Sequence, residues 1–86
     1  MSKITYNSMQ QVLNRKAIAR STLYAEIKQG VFPKPIKLGK RKIVWPEHEI
    51  DQMMLLYLSE PSAYQLRGFV RELENNRCLN EVYNGV

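Results

Sequence analysis

The chain has 86 residues, 44% hydrophobic and 24% charged, and carries a net charge of +5. A chain this short builds one modest core, which argues against a multi-site enzyme. Its lone Cys78 excludes an internal disulfide framework and reads as an inert small hydrophobe in a reducing compartment, and no apolar run approaches a membrane span.

Charge is unevenly divided along the chain. Residues 1–46 hold ten cations against Glu26 alone, a balance of +9, whereas residues 47–86 hold three arginines against seven carboxylates, a balance of −4. The first part should attract phosphate polyanions by counterion release, while the second should be held away from them. Met1-Ser2-Lys3-Ile4-Thr5 has no hydrophobic signal core, so the expected location is cytoplasmic.

Ser8-Met9-Gln10-Gln11 fits a capping box, with a hydroxyl acceptor at the N-cap and a glutamine three residues on reaching back to a free backbone donor. A first helix is expected from there to about Arg15, burying Met9, Val12 and Leu13. Lys16-Ala17-Ile18-Ala19 reads as a turn with Ile18 tucked inward. Arg20 to Gln29 is the second helix, stopped at Gly30, which tolerates the left-handed conformation at a helix end. On its wheel Leu23 and Ile27 face inward and Ser21, Ala25 and Lys28 outward, with Arg20 and Tyr24 on the shoulder.

Pro33 and Pro35 stiffen the connector that follows and forbid helix there. Ile36-Lys37-Leu38 and Lys42-Ile43-Val44-Trp45 read as two strands joined by the loop Gly39-Lys40-Arg41. Pro46 suits the first turn of a third helix, and Glu47 and Glu49 complement the positive end of its dipole. Ile50, Met53, Met54, Tyr57 and Leu58 should form its buried stripe. A fourth helix is expected from about Ser62 to Asn75 on the stripe Leu66, Phe69, Val70 and Leu73. The tail with Leu79, Val82 and Tyr83 supports a short helical turn.

A helix-turn-helix followed by a basic hairpin is the reading half of a winged helix-turn-helix, here with a C-terminal amphipathic helix added. In that arrangement the second helix enters the major groove with its N-terminal residues nearest the bases. Arg20 suits a guanine, Ser21 and Thr22 suit bases or phosphates, and Ala25 permits close approach to a thymine methyl. Lys28 would neutralise a phosphate, and Tyr24 either contacts a phosphate or packs against the wing. Of the loop cations Lys40, Arg41 and Lys42, strand alternation allows only one or two to enter a groove. Arg41, nearest the tip, is the minor-groove candidate, and Lys37 and Lys42 the phosphate holders.

Catalytic and metal chemistry find little support. His48 is the only histidine and stands thirty positions from the only cysteine, so it reads as a solvated helix-start residue, with no metal or cofactor expected. There is no glycine-rich phosphate loop and no nucleophile with a base beside it.

Gln11-Val12, Arg15, Ile18, Arg20-Ser21-Thr22-Leu23-Tyr24, Ile27, Gly30, Phe32-Pro33-Lys34-Pro35, Lys37-Leu38-Gly39, Arg41, Trp45 and Glu49-Ile50, taken in this order, resemble the AlpA family of phage and prophage regulators. Small excisionases and the winged part of MerR-like proteins share a broader likeness. The resemblance covers about residues 8–58. It implies a non-enzymatic, winged-helix protein that binds double-stranded DNA, either regulating genes of a mobile element or bending DNA as a recombination directionality factor. It also implies assembly along repeated sites or a homodimer. Family members usually have glycine in the turn and serine at the start of the reading helix, where this chain has Ala17 and Ala19. Loss of a hydroxyl cap costs about 1 kcal/mol, so the helix starts at Arg20 uncapped or later, with Ser21 as its cap.

The expected organisation is a winged helix-turn-helix over 1–60 and an extension over 61–86 that packs on it or mediates self-association. The rival from another class is an adaptor or anti-repressor acting through the fourth helix.

Overall fold

The computed structural model describes the backbone of residues 4–84 and the side chains of residues 4–77. In chain order its elements are β1 (Tyr6–Ser8), α1 (Met9–Lys16), α2 (Arg20–Gln29), β2 (Ile36–Leu38), β3 (Lys42–Pro46), α3 (Glu47–Tyr57) and α4 (Ala63–Asn84). The fold is mainly helical with a small antiparallel sheet of order β1-β3-β2, as a winged helix-turn-helix requires.

Strand β1 is not among the sequence expectations. It pairs Tyr6 with Pro46, Asn7 with Trp45 and Ser8 with Val44, making β3 the central strand. Ser8 is then both the last strand residue and the N-cap of α1. Its backbone N–H donates to Gln11 Oε1 at 2.7 Å while its Oγ accepts from Gln11 N at 3.2 Å, so the capping box forms in full. At the other end of α1, Ala17 takes the left-handed conformation at φ 57° where glycine would be unstrained. An alanine there costs about 1 kcal/mol or more, and Lys16, expected in the turn, closes the helix instead.

The core gathers one stripe from each helix. Val12, Leu23, Phe32, Trp45, Ile50 and Met53 are completely inaccessible, and Met9, Leu13, Val70 and Leu73 complete the cluster. Phe32 meets Trp45 edge-to-face with centroids 6.1 Å apart, and Trp45 Nε1 donates to the Pro33 carbonyl at 2.8 Å. The connector between α2 and β2 is therefore a plug in the core. It fixes the hairpin to the end of α2, and the buried indole N–H is satisfied without water.

Several boundaries differ from expectation. Pro46 ends β3 and caps α3 rather than lying within the helix, because its strand partner Tyr6 holds it extended. Leu58 is 80% exposed: it follows the last turn of α3 at the corner where Glu60 takes φ 52°, so the stripe stops at Tyr57. Helix α4 begins at Ala63 and continues past Asn75 to Asn84, absorbing the tail into one helix. Ser62 and Gln65 repeat the reciprocal bonding of Ser8 and Gln11 at its start, at 2.9 and 3.2 Å. The side chains of Cys78, Leu79, Val82 and Tyr83 lie outside the described residues.

Candidate nucleic-acid interface

Helix α2 is held by a narrow inner edge. Leu23 is inaccessible and Ile27 half-buried against the core, while Arg20, Ser21, Thr22, Tyr24, Ala25 and Lys28 are all exposed. Gly30 closes the helix at φ 81°, with its N–H donating to Ile27 O at 3.1 Å and Val31 N donating to Glu26 O at 3.0 Å.

At the opposite end the helix starts at Arg20, and its N-cap Ala19 offers no side-chain acceptor. Ser21 lies inside the first turn and does not cap it. Among the described residues, neither its hydroxyl nor the first N–H groups of α2 find a side-chain partner.

The hairpin of β2 and β3 pairs Ile36 with Val44, Lys37 with Ile43 and Leu38 with Lys42. Its tip is the three-residue loop Gly39-Lys40-Arg41, turned by Gly39 at φ 77°. Opposed residues on antiparallel strands share a face, and neighbours along a strand alternate. Lys42 thus shares the Leu38 face, and Lys37 the Ile43 face. These two lysines flank the tip from opposite sides, and Lys37, Lys40, Arg41 and Lys42 are all exposed.

Three cations are paired with carboxylates inside the fold. Arg15 Nη2 meets Asp51 Oδ1 at 2.7 Å, and its Nη1 donates to the buried Asn7 at 3.0 Å, tying α1 to α3 and β1. The side chain of Lys16, only 7% exposed, lies 2.9 Å from Glu26 Oε1, donates to the Tyr57 hydroxyl at 2.5 Å, and sits over the Phe32 and Tyr57 rings. Burial pushes the Tyr57 hydroxyl above its ordinary value of 10.0, Lys16 opposing the rise by its hydrogen bond and charge and Glu26 adding to it. Arg77 binds both oxygens of Glu49, itself 2% exposed, at 2.8 and 2.5 Å. Glu49 is therefore spent on α4 as well as standing in the first turn of α3. None of these pairings is legible from spacing, because each joins residues of different elements that only the tertiary packing brings together.

By contrast, Arg20, Lys28, Lys37, Lys40, Arg41 and Lys42 have no carboxylate within 4.0 Å among the described residues. Their charge is available for something outside the chain. His48 is exposed at the start of α3. Among the described residues, no helix is long and apolar enough to cross a membrane.

Neither the curated proteins nor the solved structures give a significant match to the chain. A family profile described as prophage CP4-57 regulatory protein (AlpA) matches residues 8–56, from the N-cap of α1 into the last turns of α3. That span holds α1, α2, the hairpin and most of α3 and exceeds half of the chain, so the protein belongs to the AlpA family of prophage regulatory proteins.

Proposed function

We propose that the protein is a sequence-specific DNA-binding regulator of a prophage or related mobile element. The outward face of α2 enters the major groove, with Arg20, Ser21, Thr22 and Ala25 toward the bases and Lys28 on a phosphate. Arg41 at the wing tip enters the adjacent minor groove, with Lys37 and Lys42 on the phosphates at its two sides and Lys40 beside them. Tyr24, 46% exposed, adds a hydroxyl at the edge of the helix face.

The observation that carries this reading is the division among cations. Arg15, Lys16 and Arg77 each have a carboxylate partner, while the six on α2 and the hairpin, like Lys34, Arg67 and Arg71, have none among the described residues. Uncompensated charge concentrated on two consecutive elements costs self-repulsion, which a polyanionic ligand relieves.

Titration of labelled duplexes over a salt series tests it. Arg41→Ala should weaken operator and random duplexes alike, and Arg20→Ala should mainly lose discrimination, by about 1–3 kcal/mol at one base pair. Wild-type affinity in both variants would remove the interface. The adaptor reading draws support from Leu55, Leu58 and Tyr64, which are 67, 80 and 84% exposed near the α3–α4 corner. Binding that survives high salt would favour it, because apolar docking releases few counterions.

A further inference from the structure

The division of charge along the chain is not its division in space. Of the three arginines after Glu47, Arg77 is consumed by Glu49, but Arg67 and Arg71 stand beside Lys34 of the basic half. Together they rim an open cleft of about 220 Å³ floored by Phe32 and Val70. The one carboxylate in it, Glu74, is turned inward, its Oε2 accepting the Lys34 backbone N–H at 3.0 Å.

The cleft lies at the C-terminal end of α2. Arg67 crosses Gly30, its Cγ 3.8 Å from where a β-carbon would stand, and its Nε donates to the Gln29 carbonyl at 3.1 Å. That bond offsets the negative end of the helix dipole and leaves both terminal guanidinium nitrogens without a partner among the described residues. Arg71, one turn along α4, is exposed and has no carboxylate within 4.0 Å among those residues. Lys28, the outward cation of α2, is a single residue from Gln29.

We propose that this cleft is a second phosphate-binding site, in which Lys34, Arg67 and Arg71 hold a phosphodiester of the DNA strand flanking the α2 contact. The proposal rests on the DNA-binding reading above and extends it to α4, which begins beyond the residues that match the family. Paired, planar donors on Arg67 and Arg71 suit the phosphate oxygens, and Lys34 supplies a point charge from the facing wall. The cleft carries no base-reading geometry, so it contributes affinity and register rather than sequence choice.

Arg71 is the informative position, since Arg67 also caps α2. Binding of a labelled random-sequence duplex is measured by anisotropy over a potassium chloride series for wild type, Arg71→Gln, Arg71→Lys and Gln52→Glu. The last variant makes the same change in net charge at an exposed position outside the cleft. Loss of one phosphate contact should flatten the logarithmic salt slope by about 0.9, which is about eight-fold weaker binding at 0.1 M salt and almost none near 1 M. Arg71→Lys should retain most of the slope and Gln52→Glu all of it. Unchanged slope in Arg71→Gln while Arg41→Ala loses affinity would overturn the cleft and leave the DNA-binding reading standing, as would equal loss in Arg71→Gln and Gln52→Glu. Absence of any salt-dependent binding by wild type would remove both.

Discussion

Lys16 shows how a buried charge is made tolerable. Its ammonium is compensated by Glu26, by the Tyr57 hydroxyl and by two ring faces, and Glu26 Oε1, buried and accepting no hydrogen bond, is held by charge. The arrangement links α1, α2 and α3 at one point. Because burial raises the folded-state pKa of Tyr57, the neutral hydroxyl is the form the fold prefers. This contribution is complete below the unfolded-state value of 10.0 and is lost as pH rises through the higher folded-state value. The stability difference between wild type and Tyr57→Phe should accordingly shift in favour of the variant above that pH, as alkaline denaturation curves would show. A second single-residue effect sits at Ala19, whose φ −81° and ψ 160° nearly reproduce the −77° and 170° of the capping Ser8. Ala19→Ser should therefore gain a cap on α2 and raise stability by about 1 kcal/mol in urea unfolding. No gain would mean that the hydroxyl turns away from the first-turn N–H groups.

At the scale of elements, the proposed interface rests on two devices that need different support. Helix α2 depends on Leu23 and on its glycine stop, which are local and readable in the chain. The wing depends on Trp45 and the Phe32-Pro33 plug, which orient the hairpin against the end of α2. Its central strand also depends on β1, which three residues with an asparagine in the middle do not announce. Asn7 is buried there because Arg15 satisfies its carbonyl oxygen. Helix α4 is joined to α3 through Arg77 and Glu49. Removing the arginine strands a carboxylate that is 2% exposed, and breaking such a pair is costly even when the intact pair contributes little. Arg77→Ala should lower stability by about 3 kcal/mol in denaturant unfolding, and more than Arg71→Ala, whose side chain is exposed.

Across the whole molecule, α4 closes the hydrophobic core. Val70 and Leu73 are 4 and 5% exposed within the same cluster as Val12, Trp45 and Ile50. A chain ending at residue 61 should expose that surface and lose cooperative unfolding, as heating followed by circular dichroism would reveal. A sharp transition in the shortened chain would instead make α4 an accessory. The exposed Leu55, Leu58 and Tyr64 remain outside this core on the far corner of α3 and α4.

Local chemistry accounts for what the chain alone determined. The Ser8–Gln11 box, the stop at Gly30, the turn at Gly39 and the buried stripes of α1 and α2 each depend on residues within a turn or two of one another, as does the ordered motif that carries the family likeness. The Ser62–Gln65 box was equally readable and marks the start of α4 more sharply than its apolar stripe does. Only the tertiary structure decided which charges are spent and which are left over. The partners of Arg15 and Glu49, Asp51 and Arg77, lie 36 and 28 positions away, and the Tyr57 hydroxyl that Lys16 meets lies 41 away, beyond any periodic signal. An ion pair forms wherever packing happens to bring opposite charges together. For that reason the sum over residues 47–86 concealed two arginines that the fold sets against the basic half, while Glu49, which looked like a helix-dipole residue, is the buried anchor of α4.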